Sequence, residues 1–253
     1  MTAHVYDNTF FDYIDRGARS SAQPFVACLQ AWLAPSSVLD LGCGRGVWLK
    51  EWRRAGVDDV LGVDGDYVDR SNLLVPEEQF RAGDLTGALE LERRFDLAQS
   101  LEVGEHLPES ASDALVNSLT ASSDIVLFSA AVVGQGGEFH INEQPLSYWQ
   151  KKFEARGYHA YDCLRPLLRC DSTIEPWYRY NAVLYVNAAG EAKLPEAVRS
   201  RKLPKGEFLR NDGNLRWRLR RGIVSLLPRA AVTRIAQLRA AVLASWPRRN
   251  SIG

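Results

Sequence analysis

Ser37-Val38-Leu39-Asp40-Leu41-Gly42-Cys43-Gly44-Arg45-Gly46 decides how the rest of this chain is read. Val38 to Leu41 is a short apolar run carrying one acid, and glycines follow at every second position. Val47-Trp48-Leu49-Lys50-Glu51-Trp52 then returns to helical spacing. A strand, a tight turn and a helix start result, an arrangement that brings backbone close to a nucleotide-like ligand. A dinucleotide fingerprint would need its third glycine at position 47, where a branched valine stands. Here the third glycine is Gly46, and the strand ends in Asp40, an acid suited to an ammonium rather than a pyrophosphate.

Leu39-Asp40-Leu41-Gly42-Cys43-Gly44-Arg45-Gly46 resembles motif I of the class I S-adenosylmethionine-dependent methyltransferases. Two further apolar segments end in acids in the order such a fold requires. Val60-Leu61-Gly62-Val63-Asp64-Gly65-Asp66 places a carboxylate where it can accept from both ribose hydroxyls of an adenosine; an N-cap role is the alternative. Phe80-Arg81-Ala82-Gly83-Asp84-Leu85 brings Asp84 toward an adenine amino group and Leu85 toward its ring. The resemblance implies a cofactor site of Asp40, Gly42, Cys43, Gly44, Asp64, Gly65, Asp84, Leu85 and Ser100, with S-adenosyl-L-methionine as the cofactor.

Further strands are read at Phe95–Leu101, Asp124–Ala130, 158–165 and 180–187, with helices at Ser112–Leu119 and around Trp149 and Phe153. Strands alternating with helices predict a three-layer α/β sandwich. Its seven-stranded, Rossmann-like sheet is mostly parallel, with an antiparallel pair at the end. Residues 6–34 read as two helices, with Phe10, Phe11 and Ile14 on one face and Phe25, Val26, Leu29, Trp32 and Leu33 on another. A solvated hinge at Asp15–Ser21 separates them and carries Arg16 and Arg19.

Ligands of open α/β sheets sit beyond the carboxyl ends of the strands. There the fourth strand continues into Leu101-Glu102-Val103-Gly104-Glu105-His106-Leu107-Pro108. The fifth is followed by Gly134-Gln135-Gly136-Gly137-Glu138-Phe139-His140-Ile141-Asn142-Glu143. Glu102, Glu105, His106 and His140 form a mixed oxygen and nitrogen set suited to Mg²⁺ or Mn²⁺. The spacing resembles the E-V-x-E-H motif of ubiquinone-biosynthesis O-methyltransferases and of small-RNA 3′-end 2′-O-methyltransferases, in which these residues bind a divalent metal. Without a metal, His140 or His106 becomes the general base and Glu102 orients the substrate. The glycines of 134–137 read as a loop able to close over an acceptor. Glu143-Gln144-Pro145-Leu146-Ser147-Tyr148-Trp149 resembles methyltransferases of bacterial surface-glycan biosynthesis. Pro166 to Trp177 is an insertion whose Arg165, Arg169, Asp171, Glu175, Trp177 and Tyr178 suit a sugar or nucleotide; a packed surface loop is the alternative.

The chain balances thirty-one basic against thirty-one acidic residues, yet residues 191–253 hold fifteen Lys/Arg and four Asp/Glu. An acidic body over residues 1–190, the methyltransferase domain, therefore carries a basic, partly amphipathic extension over residues 191–253. Val232, Ile235, Leu238, Val242, Leu243 and Trp246 recur at helical spacing there, with Arg229, Arg234 and Arg239 between them. Such a segment can lie on a membrane surface, meet a protein partner, bind RNA or fold back on the body. Cys28, Cys43, Cys163 and Cys170 show no paired spacing, which points to a reducing, cytoplasmic setting; the membrane-surface option for the extension would make the protein peripheral at the inner membrane face. The acidic N-terminus is no signal peptide, and the longest apolar run is too short to span a bilayer.

These readings lead to an S-adenosylmethionine-dependent O-methyltransferase acting on a hydroxyl of a sugar or glycan, with or without a divalent metal. The alternatives are an RNA 3′-end 2′-O-methyltransferase and a non-catalytic cofactor-binding module. The acceptor and the oligomeric state stay open.

Overall fold

A computed structural model describes residues 8–245 of the chain. Its sheet is built outward from β1 (Ser37–Leu41), every residue of which is buried. β2 (Asp59–Asp64) and β3 (Phe80–Ala82) lie to one side. To the other lie β4 (Leu97–Leu101), β5 (Ile125–Ser129), β7 (Val183–Val186) and β6 (His159–Tyr161). The order is β3-β2-β1-β4-β5-β7-β6. Val38 pairs in parallel with Val60 and Leu97, while β7 runs antiparallel to β5 and β6. Strands covered on both faces need apolar residues at consecutive positions, which is why β1 and β5 read as runs rather than alternations.

Helices α1 (Asn8–Leu33) and α2 (Val47–Arg54) cover one face, where Phe25, Leu29, Trp48, Leu49 and Trp52 are buried. α3 (Ser112–Ser122) and α4 (Leu146–Glu154) cover the other with Leu115, Leu119, Trp149 and Phe153. This is the expected three-layer sandwich with its antiparallel final pair. Two short helices, α5 (Leu164–Leu168) and α6 (Pro176–Asn181), fill the insertion between β6 and β7. Tyr180 and Asn181, read from sequence as strand, end α6.

The expected hinge at 15–21 is not there: α1 runs unbroken through it. Ala18, Ala22 and Phe25 are buried on one face, and the Ser20 and Ser21 hydroxyls both donate back to the Gly17 carbonyl. Serines that bond within the helix do not break it, and the packing of this small-residue face overrides their weak propensity. Arg19 is exposed on the helix; the side chains of Phe10, Phe11, Ile14 and Arg16 lie outside the described residues.

After β7 come α7 (Ala188–Glu191) and α8 (Glu196–Arg199), then α9 (Leu215–Val224) and α10 (Arg229–Ser245). The Asn214 side chain caps α9 by accepting the Trp217 N–H at 2.9 Å. The extension folds back on the body, with α10 against α1. Trp246 and the side chains of Arg239, Val242 and Leu243 lie outside the described residues. Among the described residues no helix is long and apolar enough to cross a membrane.

Candidate active site

The turn after β1 sets the floor of the site. Gly42, Gly44 and Gly46 all have positive φ, at 83°, 53° and 85°, a region closed to most side chains. Gly42 also packs so tightly against Val103 that a β-carbon would collide with it. Above this turn opens a cavity of about 1130 Å³. Its lining includes Gly42, Cys43, Gly44, Asp64, Gly65, Asp84 and Leu85 together with Glu102, Glu105, His106 and His140. The structure thus brings together most of the residues singled out from sequence.

Two of them lie elsewhere. Asp40 and Ser100 are buried within β1 and β4 and are not among the residues lining the cavity. Strand position places a residue at the sheet's carboxyl end, but the adjoining turn decides whether its side chain reaches the crevice. Burial pushes the Asp40 carboxyl up to about 7, with Gln99 lowering it in part and the Asp64 charge raising it again. Its Oδ2 has no hydrogen-bond partner. A carboxyl held there favours folding while protonated. Stability should therefore fall as pH rises from about 4 to about 7 and stay level above, with a full penalty on the order of 3–4 kcal/mol. Asp40→Asn removes the titration. Denaturant unfolding should find it more stable than the parent at about pH 8 and nearly equal near pH 4; parallel curves would refute this account of Asp40.

Asp64 is the organising carboxylate of the cofactor end. Its Oδ2 accepts the Gly44 N–H at 2.7 Å, and its Oδ1 accepts the Gly65 N–H at 2.7 Å and the Tyr67 hydroxyl at 2.6 Å. Burial raises its pKa while those three donors oppose the rise. Asp84 is exposed, and its Oδ1 accepts from both the backbone and the hydroxyl of Thr86, which hold its carboxyl below the ordinary range. Leu85 is buried beside it. The Cys43 thiol packs against Gly62, and burial pushes its pKa well up.

In the same cavity Glu105, His106 and His140 offer ligand atoms within 4.8 Å of one another. The two imidazoles meet edge to face, with centroids 4.9 Å apart. Glu105 is fully buried, and neither of its oxygens has a well-aligned hydrogen bond. Burial, then the neighbouring Glu102 charge, drives its pKa well above the usual carboxylate value. A buried carboxylate without a well-aligned hydrogen bond, beside two imidazoles, has the composition of a cation site. Glu102 borders this trio without joining it: its Oε2 accepts from Gln135 Nε2 at 2.6 Å. Its backbone is left-handed, at φ 58°, a strained conformation for a residue with a side chain.

Sequence reading missed the residues that hold these groups. The Glu143 carboxylate accepts His140 Nδ1 at 2.9 Å and the backbone N–H groups of Gly134 and Gly136 at 2.8 and 2.6 Å. Although burial alone would raise its pKa, His140 and those N–H groups hold it below its ordinary value. The bond from His140 to Glu143 leaves Nε2 turned toward Glu105, 4.0 Å away. The spacing of three between His140 and Glu143 was the available signal. The main chain also joins the two loops: the Glu105 carbonyl accepts N–H from Ile141 and Asn142, and Asn142 Nδ2 donates to the Gly104 carbonyl. The 134–137 glycines allow close packing under the extension: Gly134 abuts the Arg221 carbonyl and Gly136 abuts Val224 and Val232.

The insertion contributes Glu175, Trp177 and Tyr178 to the cavity wall, with Tyr178 edge-on to Trp48 at 5.1 Å. Arg165 is buried instead against Asp162, and Arg169 and Asp171 sit at the surface away from the cavity. The extension supplies a roof from Arg220, Val224, Leu227, Val232, Ile235 and Ala236. Arg220 and Arg221 fasten it by donating to the carbonyls of Gln135 and Val133.

Residues 14–158 match the model of a family described as a methyltransferase domain. Comparison with curated proteins gives no match. Among solved structures, DesVI of Streptomyces venezuelae aligns with TM-score 0.54 and 15% identity over 73% of this chain and 97% of that one. Magnesium protoporphyrin IX methyltransferase (ChlM) of Synechocystis PCC 6803 aligns with TM-score 0.52 and 20% identity over 72% and 93%. The methyltransferase domain of bacterial CtHen1-C aligns with TM-score 0.51 and 20% identity over 67% and 97%. At these identities the likeness is one of fold.

Proposed function

The chain belongs to the class I S-adenosylmethionine-dependent methyltransferases, and we propose that it methylates a hydroxyl of a sugar or glycan with a divalent ion held by Glu105, His106 and His140. The observation that carries this reading is the trio itself, three ligand atoms within 4.8 Å at the acceptor end of the cavity. The cavity, at about 1130 Å³, exceeds the roughly 300–1,000 Å³ of a single small-molecule site. It has room for a cofactor and an acceptor together, which argues against a binding module without turnover. Trp177, Tyr178 and Glu175 give the acceptor end the aromatic and polar character that suits a sugar.

The cofactor supplies an electrophilic methyl group on a sulfonium, and the ion, as a Lewis acid, lowers the pKa of a bound hydroxyl from that of a free alcohol. The chain does the rest. Gly42, Gly44, Asp64, Gly65, Asp84 and Leu85 would hold the adenosine end. The Gly44 N–H and the carboxylate of Asp64 fix the turn beside which the cofactor would lie. Glu143 holds His140 in the tautomer that leaves Nε2 available, as paired carboxylates do for ligating histidines. Glu102, kept in place by Gln135, orients the acceptor. Transfer would exchange the carbon–sulfur bond for an ether carbon–oxygen bond, with the neutral thioether as leaving group and the hydroxyl proton passing to solvent water.

Excess EDTA tests the ion. Methyl transfer should fall at least about tenfold and return with Mg²⁺ or Mn²⁺. Full activity in the chelator would remove the ion from the mechanism and leave His140 as general base. A second reading, an RNA 3′ end as acceptor, uses the same trio with the basic extension as its phosphate contact. It requires RNA affinity to fall with salt, with a log–log slope of about −0.7 per phosphate contacted. Salt-insensitive affinity would exclude it.

A further inference from the structure

The outward face of α9 has the polarity of an inward one. Leu215, Leu219, Ile223 and Leu226 are 71%, 59%, 64% and 85% exposed. Leu215, Leu219 and Ile223, spaced by four, form one stripe along the helix, and Leu226 follows just past its end. Trp217 and Val224 occupy the opposite side, buried and lining the cavity. Arg216 and Arg218, both exposed, flank the stripe on its two edges. Arg220 and Arg221, lower on the helix, are committed to carbonyls of the 133–135 loop. From Gly213 to the last residue the chain contains nine arginines and not one Asp or Glu.

We propose that this face of α9 seats the protein on an anionic phospholipid surface. An aliphatic stripe bordered by guanidinium groups is the pattern of a helix lying in the headgroup layer, where the stripe enters the acyl boundary and the arginines meet lipid phosphates. The charge argues against a second copy in this place, because two such faces would oppose their arginines across an apolar contact. The stripe also argues against RNA. Its centre is aliphatic, and the tryptophan of α9, which could stack on a base, is buried. The proposal does not rest on the methyl-transfer reading.

Co-sedimentation of the full chain with vesicles tests it. One set is phosphatidylcholine alone and the other includes phosphatidylglycerol as about one third of the lipid. Binding should favour the anionic vesicles by about tenfold or more and weaken with salt. Leu219→Asp with Ile223→Asp should abolish binding to both while leaving the melting temperature unchanged, since both side chains are exposed. Arg216→Glu with Arg218→Glu should erase the anionic preference. The proposal is overturned if the parent stays in the supernatant with anionic vesicles, or if the aspartate variant binds as the parent does. It is equally overturned if the aspartate pair turns a dimer into a monomer, or RNA is bound, without any vesicle binding.

Discussion

Replacing His140 by alanine should leave a folded protein whose turnover is lower by roughly two to four orders of magnitude, the range that loss of a positioned acid–base or metal-bearing group commands. His140 is 11% exposed at its side chain and makes its hydrogen bond to Glu143, so truncation removes a site group rather than a core plug. Calorimetric titration with Mn²⁺ separates the two ways of failing. If the trio holds an ion, His140→Ala loses Mn²⁺ binding together with turnover. If His140 is the base, the parent itself takes up no Mn²⁺ and the variant loses turnover alone. Glu143→Gln provides an intermediate case. The amide keeps much of the shape but weakens a charge-assisted bond and presents a donor where Gly134 and Gly136 also donate. A loss of roughly ten- to a hundredfold, the scale found for outer-shell partners of ligating histidines, is expected. Unchanged turnover in both variants would place the chemistry elsewhere in the cavity.

Asp64→Asn should cost S-adenosylmethionine affinity by roughly ten- to a hundredfold, measured as Kd by calorimetry. The carboxylate accepts from two backbone N–H groups and one hydroxyl. An amide in its place must turn its NH₂ toward at least one of them, so a buried bond is lost and a donor faces a donor, at about 1–3 kcal/mol. Tyr67→Phe is the companion measurement. If a ribose diol takes the Asp64 oxygens, the Tyr67 hydroxyl at 2.6 Å competes for one of them. Its removal should then tighten binding a few-fold, about 1 kcal/mol or less. Weaker binding by Tyr67→Phe would mean that the hydroxyl belongs to the ligand contact, and unaltered binding by Asp64→Asn would remove Asp64 from the cofactor site.

The parts legible in sequence were those in which one local pattern has one physical cause. Three glycines after an apolar run demanded a turn at positive φ, and an acid at the end of β2 and another just past β3 followed from the order of strands. His106 and His140 were legible as a pair because the loops after β4 and β5 open on the same edge of the sheet. Asp40 and Ser100 lie buried off the cavity wall, because sequence locates a strand end without saying which side chains the fold will cover. The hinge in α1 failed for the opposite reason: Gly17, Ser20 and Ser21 suggest a break locally, but Ala18 and Ala22 make a smooth face that the core holds straight. The roof over the cavity depended on contact between α10 and α1, at opposite ends of the sequence, which no nearby pattern encodes. Glu143 was visible three residues from His140, yet nothing local gave it three donors to receive.

The main-chain bonds from Ile141 and Asn142 to the Glu105 carbonyl have a thermodynamic consequence. They fix the spacing of the two loops when the chain folds, so if the trio takes a cation as proposed, the ordering entropy is spent on folding and not on its arrival. Uptake of Mn²⁺ should accordingly show a heat-capacity change near zero, because hardly any apolar surface changes its exposure. Its speed should follow how fast the hydrated ion sheds water, slower for Mg²⁺ than for Mn²⁺, rather than any rearrangement of the polypeptide.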